Sequence, residues 1–128
     1  MRLLLDTGAL LWIAVDSDQI LTSIRTILAA PESECFYSMA SLWKITIKVG
    51  LRKLDLPVPL KAFFEELDRN PKRKLLSIQK EHLLRYAELP LHHRDPFDRL
   101  IVAQALSENL IVVGNDAAFD AYGVRRLW

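Results

Sequence analysis

The stretch HRDPFDRLIVAQAL, residues 93–106, decides how the chain is expected to fold. It opens with polar residues and continues as an apolar run with helical spacing. Asp95 followed by Pro96 is typical of a helix N-cap with proline at the first helical position. Asp98 then falls in the first helical turn, where the helix dipole favours an anion. These residues therefore predict a long helix that begins at Asp95 and ends near Asn109, with two carboxylates at its start.

Apolar runs with the length of buried strands alternate with helical patterns along the rest of the chain. LIVV at residues 110–113 follows the long helix, and RLLL at residues 2–5 opens the chain. Further strands are predicted at 34–37, 74–78 and 123–127, and helices at 10–14, 20–28, 38–50, 60–68 and 81–89, with a short helical turn around Phe119. This alternation favours an α/β fold with a mainly parallel central sheet covered on both faces. There is no internal repeat and no linker, so residues 1–128 are expected to form one domain.

Composition narrows the class of protein. With 51% hydrophobic residues among 128, the chain can bury a core without disulfides. Cys35 is the only cysteine and lies in an apolar run, so we expect a buried thiol in a reducing compartment. No apolar run approaches the roughly 20 residues that span a bilayer, and the N-terminus does not resemble a signal peptide. These features predict a cytoplasmic protein without membrane association.

The common catalytic motifs are missing. The four glycines form neither GxGxxG nor GxxxxGK[ST], which argues against dinucleotide and P-loop nucleotide binding. The three histidines lack the HExxH spacing, one cysteine cannot build a cysteine-rich zinc site, and no GxSxG elbow is present. The net charge of +1 excludes a polycation, although basic residues cluster at 44–53 and 72–74 and can hold phosphates locally.

Three aspartates from distant parts of the chain are expected to meet at one edge of the sheet. Asp6 follows the first strand directly, Asp116 follows the strand at 110–113 after two residues, and Asp98 opens the helix that leads into that strand. The carboxyl ends of parallel strands share one edge, and open α/β sheets bind ligands there. Carboxylates gathered in this way need a cation, and Mg²⁺ or Mn²⁺ suits oxygen ligands. We therefore predict a divalent metal site formed by these aspartates. The alternative is that each acid only caps a helix or a turn.

With these residues identified, the sequence resembles the PIN domain family, and in particular its toxin ribonucleases of the VapC type. The resemblance runs from end to end, through RLLLDTGALLW (2–12), SMASLWKITIKVGLRKLDL (38–56), HRDPFDRLIVAQA (93–105) and the segment 110–128. It implies a three-layer α/β/α fold and the toxin of a type II toxin–antitoxin pair, a Mg²⁺- or Mn²⁺-dependent endoribonuclease.

The resemblance also assigns residues and partners. Asp6, Asp98 and Asp116 match the family's metal-binding and catalytic acids, with Asp95 as an additional catalytic acid beside them. The implied partners are an RNA substrate, a small antitoxin protein of VapB type and a second copy of the chain in a homodimer.

Two positions depart from the family pattern. Where the second block usually reads SLWE, this chain has Lys44, which exchanges a carboxylate for an ammonium beside the expected metal. Gly114 stands where the family often has serine or threonine. The resemblance therefore implies the loss of a hydroxyl that can contact the metal or its water. Lys44 either points away, pairs with the acids in place of the cation, or binds a substrate phosphate. Lys44, His93 and Arg94 are the candidates for contacting the substrate.

Two other functions fit the same residues. If Lys44 replaces the cation, the chain is a catalytically silent PIN fold that binds RNA or protein. Carboxylate–metal sites also serve phosphatases and DNA nucleases, because many phosphoryl transfers use the same chemistry.

Overall fold

Five short strands form one parallel sheet. The computed structural model describes residues 1–128, and its strands are β1 (Arg2–Leu5), β2 (Glu34–Ser38), β3 (Arg73–Leu76), β4 (Ile111–Val113) and β5 (Arg126–Leu127). Their order across the sheet is β3-β2-β1-β4-β5, and every neighbouring pair is parallel. The strand order therefore reverses between β1 and β4. Open α/β sheets bind ligands at such a switch point, outside the carboxyl ends of the strands.

Helices connect the strands and flank the sheet. They are α1 (Thr7–Ala14), α2 (Thr22–Ala29), α3 (Met39–Gly50), α4 (Leu60–Arg69), α5 (Lys80–Glu88) and α6 (Pro96–Glu108), followed by a 3₁₀ helix at Ala117–Tyr122. The predicted α/β fold with a parallel central sheet is confirmed. None of these helices has the length and apolar character that crossing a membrane requires.

Alternating side chains of β1 divide the core into two layers. Leu3 and Leu5 are fully buried on one face, together with apolar residues of α1, α2, α3 and α4. Leu4 lies on the other face and packs in one cluster with Ile101 of α6. Burial on both faces explains why β1 is a continuous apolar run and not an alternating one. Cys35 of β2 is buried as expected, and burial raises the pKa of its thiol to about 11.

Four element boundaries differ from the sequence prediction by two residues or more. The helix predicted at 10–14 begins at Thr7, because Asp6 caps it. The predicted strand 74–78 ends at Leu76, because its pairing with β2 stops at Ser38, where α3 begins. The predicted strand 123–127 is reduced to Arg126–Leu127, because only the last two residues of β4 pair with it. The helix predicted from residue 20 begins later, since the N–H of Ile20 donates to a carbonyl in the preceding turn. The lengths of the neighbouring strands thus explain the two strand boundaries.

Candidate metal centre

The carboxyl edge of the sheet carries the predicted acids. Asp6 directly follows β1, Asp116 caps the 3₁₀ helix after β4, and Asp98 lies in the first turn of α6. Ligand atoms of Asp98, Asp116 and His93 all lie within 4.8 Å of one another. Asp6 is outside this tight group, but it is close enough for the charges of Asp98 and Asp116 to raise its pKa. The structure therefore brings the three predicted aspartates to one cleft at the switch point.

Asp6 is a buried carboxylate with one oxygen unused. The residue is 7% exposed, and its Oδ1 accepts a hydrogen bond from the Ala9 N–H at 2.7 Å, which caps α1. Its Oδ2 accepts no hydrogen bond. Burial raises the pKa of this carboxyl to about 6, and the charges of Asp98 and Asp116 add to the effect, against the Ala9 bond. A carboxylate under such repulsion gains from a nearby cation, which is the property expected of a metal ligand.

Gly114 makes room for the Asp6 side chain. A Cβ at position 114 would lie 2.0 Å from Oδ2 of Asp6 and 2.4 Å from its Cγ. Non-bonded atoms do not approach so closely, so any larger residue at 114 would displace the carboxylate. Glycine in place of the family's serine or threonine therefore allows the Asp6 carboxylate to occupy this position. The sequence identifies the glycine, but this close approach is visible only in the structure.

His93 links two of the acids. Its Nε2 lies 3.2 Å from Oδ2 of Asp98 and 3.2 Å from Oδ2 of Asp116. Its Nδ1 accepts the backbone N–H of Asp95 at 3.1 Å, so the neutral ring carries its proton on Nε2 and donates it toward the carboxylates. The Tyr122 hydroxyl fixes this loop by accepting the His93 backbone N–H at 2.8 Å. In this geometry His93 positions Asp98 and Asp116.

Asp98 and Asp116 differ in their surroundings. The Asp98 side chain is 12% exposed, and burial raises the pKa of its carboxyl, although the positive charge of Lys44 opposes the change. The Asp116 side chain is 43% exposed, and its Oδ1 accepts the Ala118 N–H at 2.9 Å. One acid is thus held inside the cleft and the other at its more open side.

Lys44 reaches into the acidic cluster from α3. Its Nζ lies 2.6 Å from Oδ2 of Asp95 and 3.6 Å from Oδ2 of Asp98. The Ser38 side chain caps α3 at the carboxyl end of β2, so the first turns of the helix lie at the same edge as the acids. Burial opposes the charged ammonium, but the pKa of Lys44 is raised on balance by its bond to Asp95 and by the charge of Asp98. Lys44 therefore pairs with the acids and does not point away.

Both oxygens of Asp95 are engaged. Oδ1 accepts the N–H groups of Phe97 at 2.8 Å and Asp98 at 3.2 Å, which confirms the predicted N-cap of α6. Oδ2 pairs with Lys44. Burial alone would raise the pKa of Asp95, but these partners, Lys44 foremost, lower it. The neighbouring Arg94 is exposed and forms no hydrogen bond or ion pair with the acids.

Arg126 is a second cation near the cleft that the sequence did not single out. Its guanidinium pairs with Asp120 at 2.8 Å and 2.9 Å, and its Nη1 donates to the Gly114 carbonyl at 3.0 Å. The bond to Asp120, with smaller contributions from the charges of Asp116 and Asp6, raises the pKa of Arg126. Arg126 thereby anchors the turn that carries Asp116. Arg126 pairs with Val112 of β4 in the sheet, and this register places its guanidinium near the cleft. The sequence does not reveal the register.

The donors suit a hard divalent cation. Asp6, Asp98 and Asp116 offer carboxylate oxygens, which Mg²⁺ and Mn²⁺ prefer as ligands. One lysine ammonium faces four carboxylates, so negative charge remains in excess. Burial is the main cause of the raised pKa of Asp6, and the charges of Asp98 and Asp116 add to it. The unpartnered Oδ2 of the buried Asp6 is free to coordinate. These residues therefore fit a metal of this kind.

The PIN domain family model matches residues 3–124 of the chain. The chain belongs to the PIN domain family. Among solved structures it is similar to VapBC2 from Rickettsia felis, bound to a DNA fragment from their promoter, with 15% identity and a TM-score of 0.74 over 99% of this chain and 98% of that chain. DNA-bound VapBC from Salmonella typhimurium has 19% identity and a TM-score of 0.69, covering 99% and 97% of the two chains. VapBC-1 from nontypeable Haemophilus influenzae has 16% identity, a TM-score of 0.70 and the same coverage. A search of the curated proteins finds no match.

Both departures of this PIN domain from the family pattern act on its acids. Lys44 acts through Asp95 and Asp98, which it contacts directly. Gly114 acts through Asp6, whose carboxylate fills the volume that a side chain at 114 would need. The likeness to the solved structures shows that the PIN fold is retained around these changes.

Proposed function

We propose that this PIN domain, residues 1–128, is the toxin of a type II toxin–antitoxin pair and cleaves RNA as a Mg²⁺- or Mn²⁺-dependent endoribonuclease. The observation that carries the proposal is the group of Asp6, Asp98 and Asp116 at the switch point of the sheet. The family match supports it, as does the likeness to VapBC complexes.

Asp6, Asp98 and Asp116 would hold the cation. When bound, a divalent cation lowers the pKa of water and offsets the negative charge that develops on a phosphate. The chain fixes its carboxylates in advance: Asp6 and Asp116 accept the backbone N–H groups that they cap, and Asp98 lies against His93. Preorganised ligands lose little freedom when the cation binds, which favours both affinity and geometry. Asp95 supports them by capping α6.

Exposed basic side chains would contact the RNA backbone. Arg94 is exposed beside the capping Asp95, and Lys48, Arg52 and Lys53 are exposed further along or just after α3. Such residues neutralise phosphates and make binding depend on salt. A VapB-type antitoxin is the proposed protein partner. The proposed location is the cytoplasm, where the RNA substrate would be found.

The proposed homodimer would use an apolar stripe on α3. Four exposed residues, each four positions apart, lie on one face of this helix or directly after it: Met39, Trp43, Ile47 and Leu51. The exposed Leu83 of α5 adds to this apolar surface, since it lines the same groove as Trp43. Contiguous exposed apolar residues of this kind mark protein interfaces. We assign this stripe to a second copy of the chain.

A second candidate function is favoured by Lys44. Its ammonium lies 2.6 Å from Asp95 and 3.6 Å from Asp98, where it already neutralises part of the cluster. If that neutralisation is complete, the PIN fold binds RNA or protein without cleaving it.

Metal-dependent cleavage of RNA separates the two functions. Purified protein is incubated with RNA in Mn²⁺ or in EDTA, next to an Asp98→Asn variant and an Asp18→Asn control at an exposed position outside the cluster. We expect cleavage in Mn²⁺ that EDTA abolishes and that Asp98→Asn lowers by at least about 100-fold, since the metal's contribution amounts to several kcal/mol. The control should cleave like the parent. RNA binding without cleavage would favour the silent module, and cleavage that survives EDTA would contradict the metal site.

A further inference from the structure

The Lys44–Asp95 pair closes one side of the acidic cluster. The Lys44 side chain is 16% exposed, and its ammonium lies against Oδ2 of Asp95. The other Asp95 oxygen accepts two N–H groups at the start of α6. The charge of Asp95 is therefore balanced by the Lys44 ammonium and not by a metal, because the pair is electrically neutral as a unit. This leaves three carboxylates, those of Asp6, Asp98 and Asp116, to balance a cation.

The same ammonium also borders Asp98. It lies 3.6 Å from Oδ2 of this residue, the acid that His93 connects to Asp116. In two-metal sites for phosphoryl transfer the ions lie about 3.5–4 Å apart, and both contact the reacting phosphate. A second divalent ion on this side of Asp98 would come within a few ångströms of a fixed positive charge, where repulsion is strong. It would also lack the carboxylate that the family pattern provides at position 44.

We propose that the site takes a single divalent cation, held by Asp6, Asp98 and Asp116, and that the ammonium of Lys44 stands where a second ion would otherwise lie. The inference rests on the metal site of the proposed function and adds its stoichiometry and the role of Lys44. The ammonium of Lys44 then acts as a fixed positive charge beside the bound cation. Substitution by glutamate removes this charge, releases Asp95 and adds a ligand, so it opens the position to a second ion.

The test counts Mn²⁺ ions bound by the full chain. Calorimetry gives the number per chain, and electron paramagnetic resonance distinguishes an isolated Mn²⁺ from two coupled ions. The proteins are the parent, Lys44→Glu, the charge-conserving Lys44→Arg and Lys48→Glu, which makes the same charge change one turn further along α3 at an exposed position. Circular dichroism confirms that each variant is folded.

We expect one isolated Mn²⁺ per chain in the parent, Lys44→Arg and Lys48→Glu, and two coupled ions in Lys44→Glu. The second ion should bind to Lys44→Glu at least about tenfold more tightly than to the parent. Two ions in the parent would overturn the inference and leave the proposed metal site standing. No ion in the parent but one in Lys44→Glu would also overturn it, because Lys44 would then be the only cation. No ion in any folded variant would overturn both the inference and the metal-dependent function. One bound ion in a parent protein that does not cleave RNA would contradict the function alone.

Discussion

Replacing Asp6 by asparagine should stabilise the metal-free protein at alkaline pH. Burial, with the charges of Asp98 and Asp116, raises the pKa of the Asp6 carboxyl from 3.8 to about 6. The folded state holds this proton up to about pH 6, whereas the unfolded chain releases it near pH 3.8, so ionised Asp6 lowers the free energy of unfolding above that range. Each pH unit between the two pKa values is worth about 1.4 kcal/mol, which limits the effect to about 3 kcal/mol. Asparagine caps α1 equally well and carries no charge.

The assay is unfolding in EDTA from about pH 4 to about pH 8, for the parent, Asp6→Asn and the exposed control Asp18→Asn. We expect Asp6→Asn to match the parent near pH 4 and to be about 1–3 kcal/mol more stable at pH 8, a rise in melting temperature of roughly 3–10 °C. Mn²⁺ at about 1,000 times its Kd should reverse the order, because such a ligand concentration stabilises the protein that binds it by about 4.1 kcal/mol.

A difference that does not vary with pH would refute this reasoning, since burial and neighbouring charges would then not disfavour ionised Asp6 in the folded state. So would an Asp6→Asn protein that is less stable than the parent at about pH 8. An equal gain in Asp18→Asn would trace the effect to net charge and not to the cleft.

Three further changes test the supporting structure. Gly114→Ala should lower the free energy of unfolding by at least about 1 kcal/mol, because the displaced Asp6 carboxylate loses its capping bond. In a double-mutant cycle, the same change should cost much less when Asp6 is already alanine. Additive losses would mean that the two side chains do not compete for space. Asp95→Ala should cost at least about 1 kcal/mol in thermal melts, and Asp95→Ser should recover most of it; three equal melting temperatures would disprove the cap. Ile47→Glu should convert a dimer to a monomer in light scattering, and an unchanged mass would exclude the α3 stripe as the interface.

The local features of the fold could be predicted because neighbouring residues determine them. Asp95 and Pro96 start α6 by capping geometry alone, and the observed N-cap bonds confirm that prediction. The apolar run of β1 followed by Asp6 predicts a buried strand that ends at the ligand-binding edge. Convergence of the acids then follows from parallel topology, without knowledge of any side-chain contact.

The contacts within the site could not be predicted, because they depend on how distant elements pack. Nothing in the sequence specifies that Lys44 bonds Asp95 more closely than Asp98, since both acids lie at the start of the same helix. The close approach of Asp6 to Gly114 depends on the register of β1 and β4, which pairs Leu5 with Val113. Similarly, the shortened ends of β3 and β5 depend on the lengths of their partner strands.

The position of Mn²⁺ in crystals of the protein tests the proposed metal centre most directly. Diffraction data collected above the manganese absorption edge locate the ion by its anomalous signal, independently of any activity. We expect one peak per chain in contact with the carboxylates of Asp6, Asp98 and Asp116, with the Lys44 ammonium still against Asp95. A cleft without a peak at saturating Mn²⁺, or a peak bound only by other residues, would contradict the metal centre.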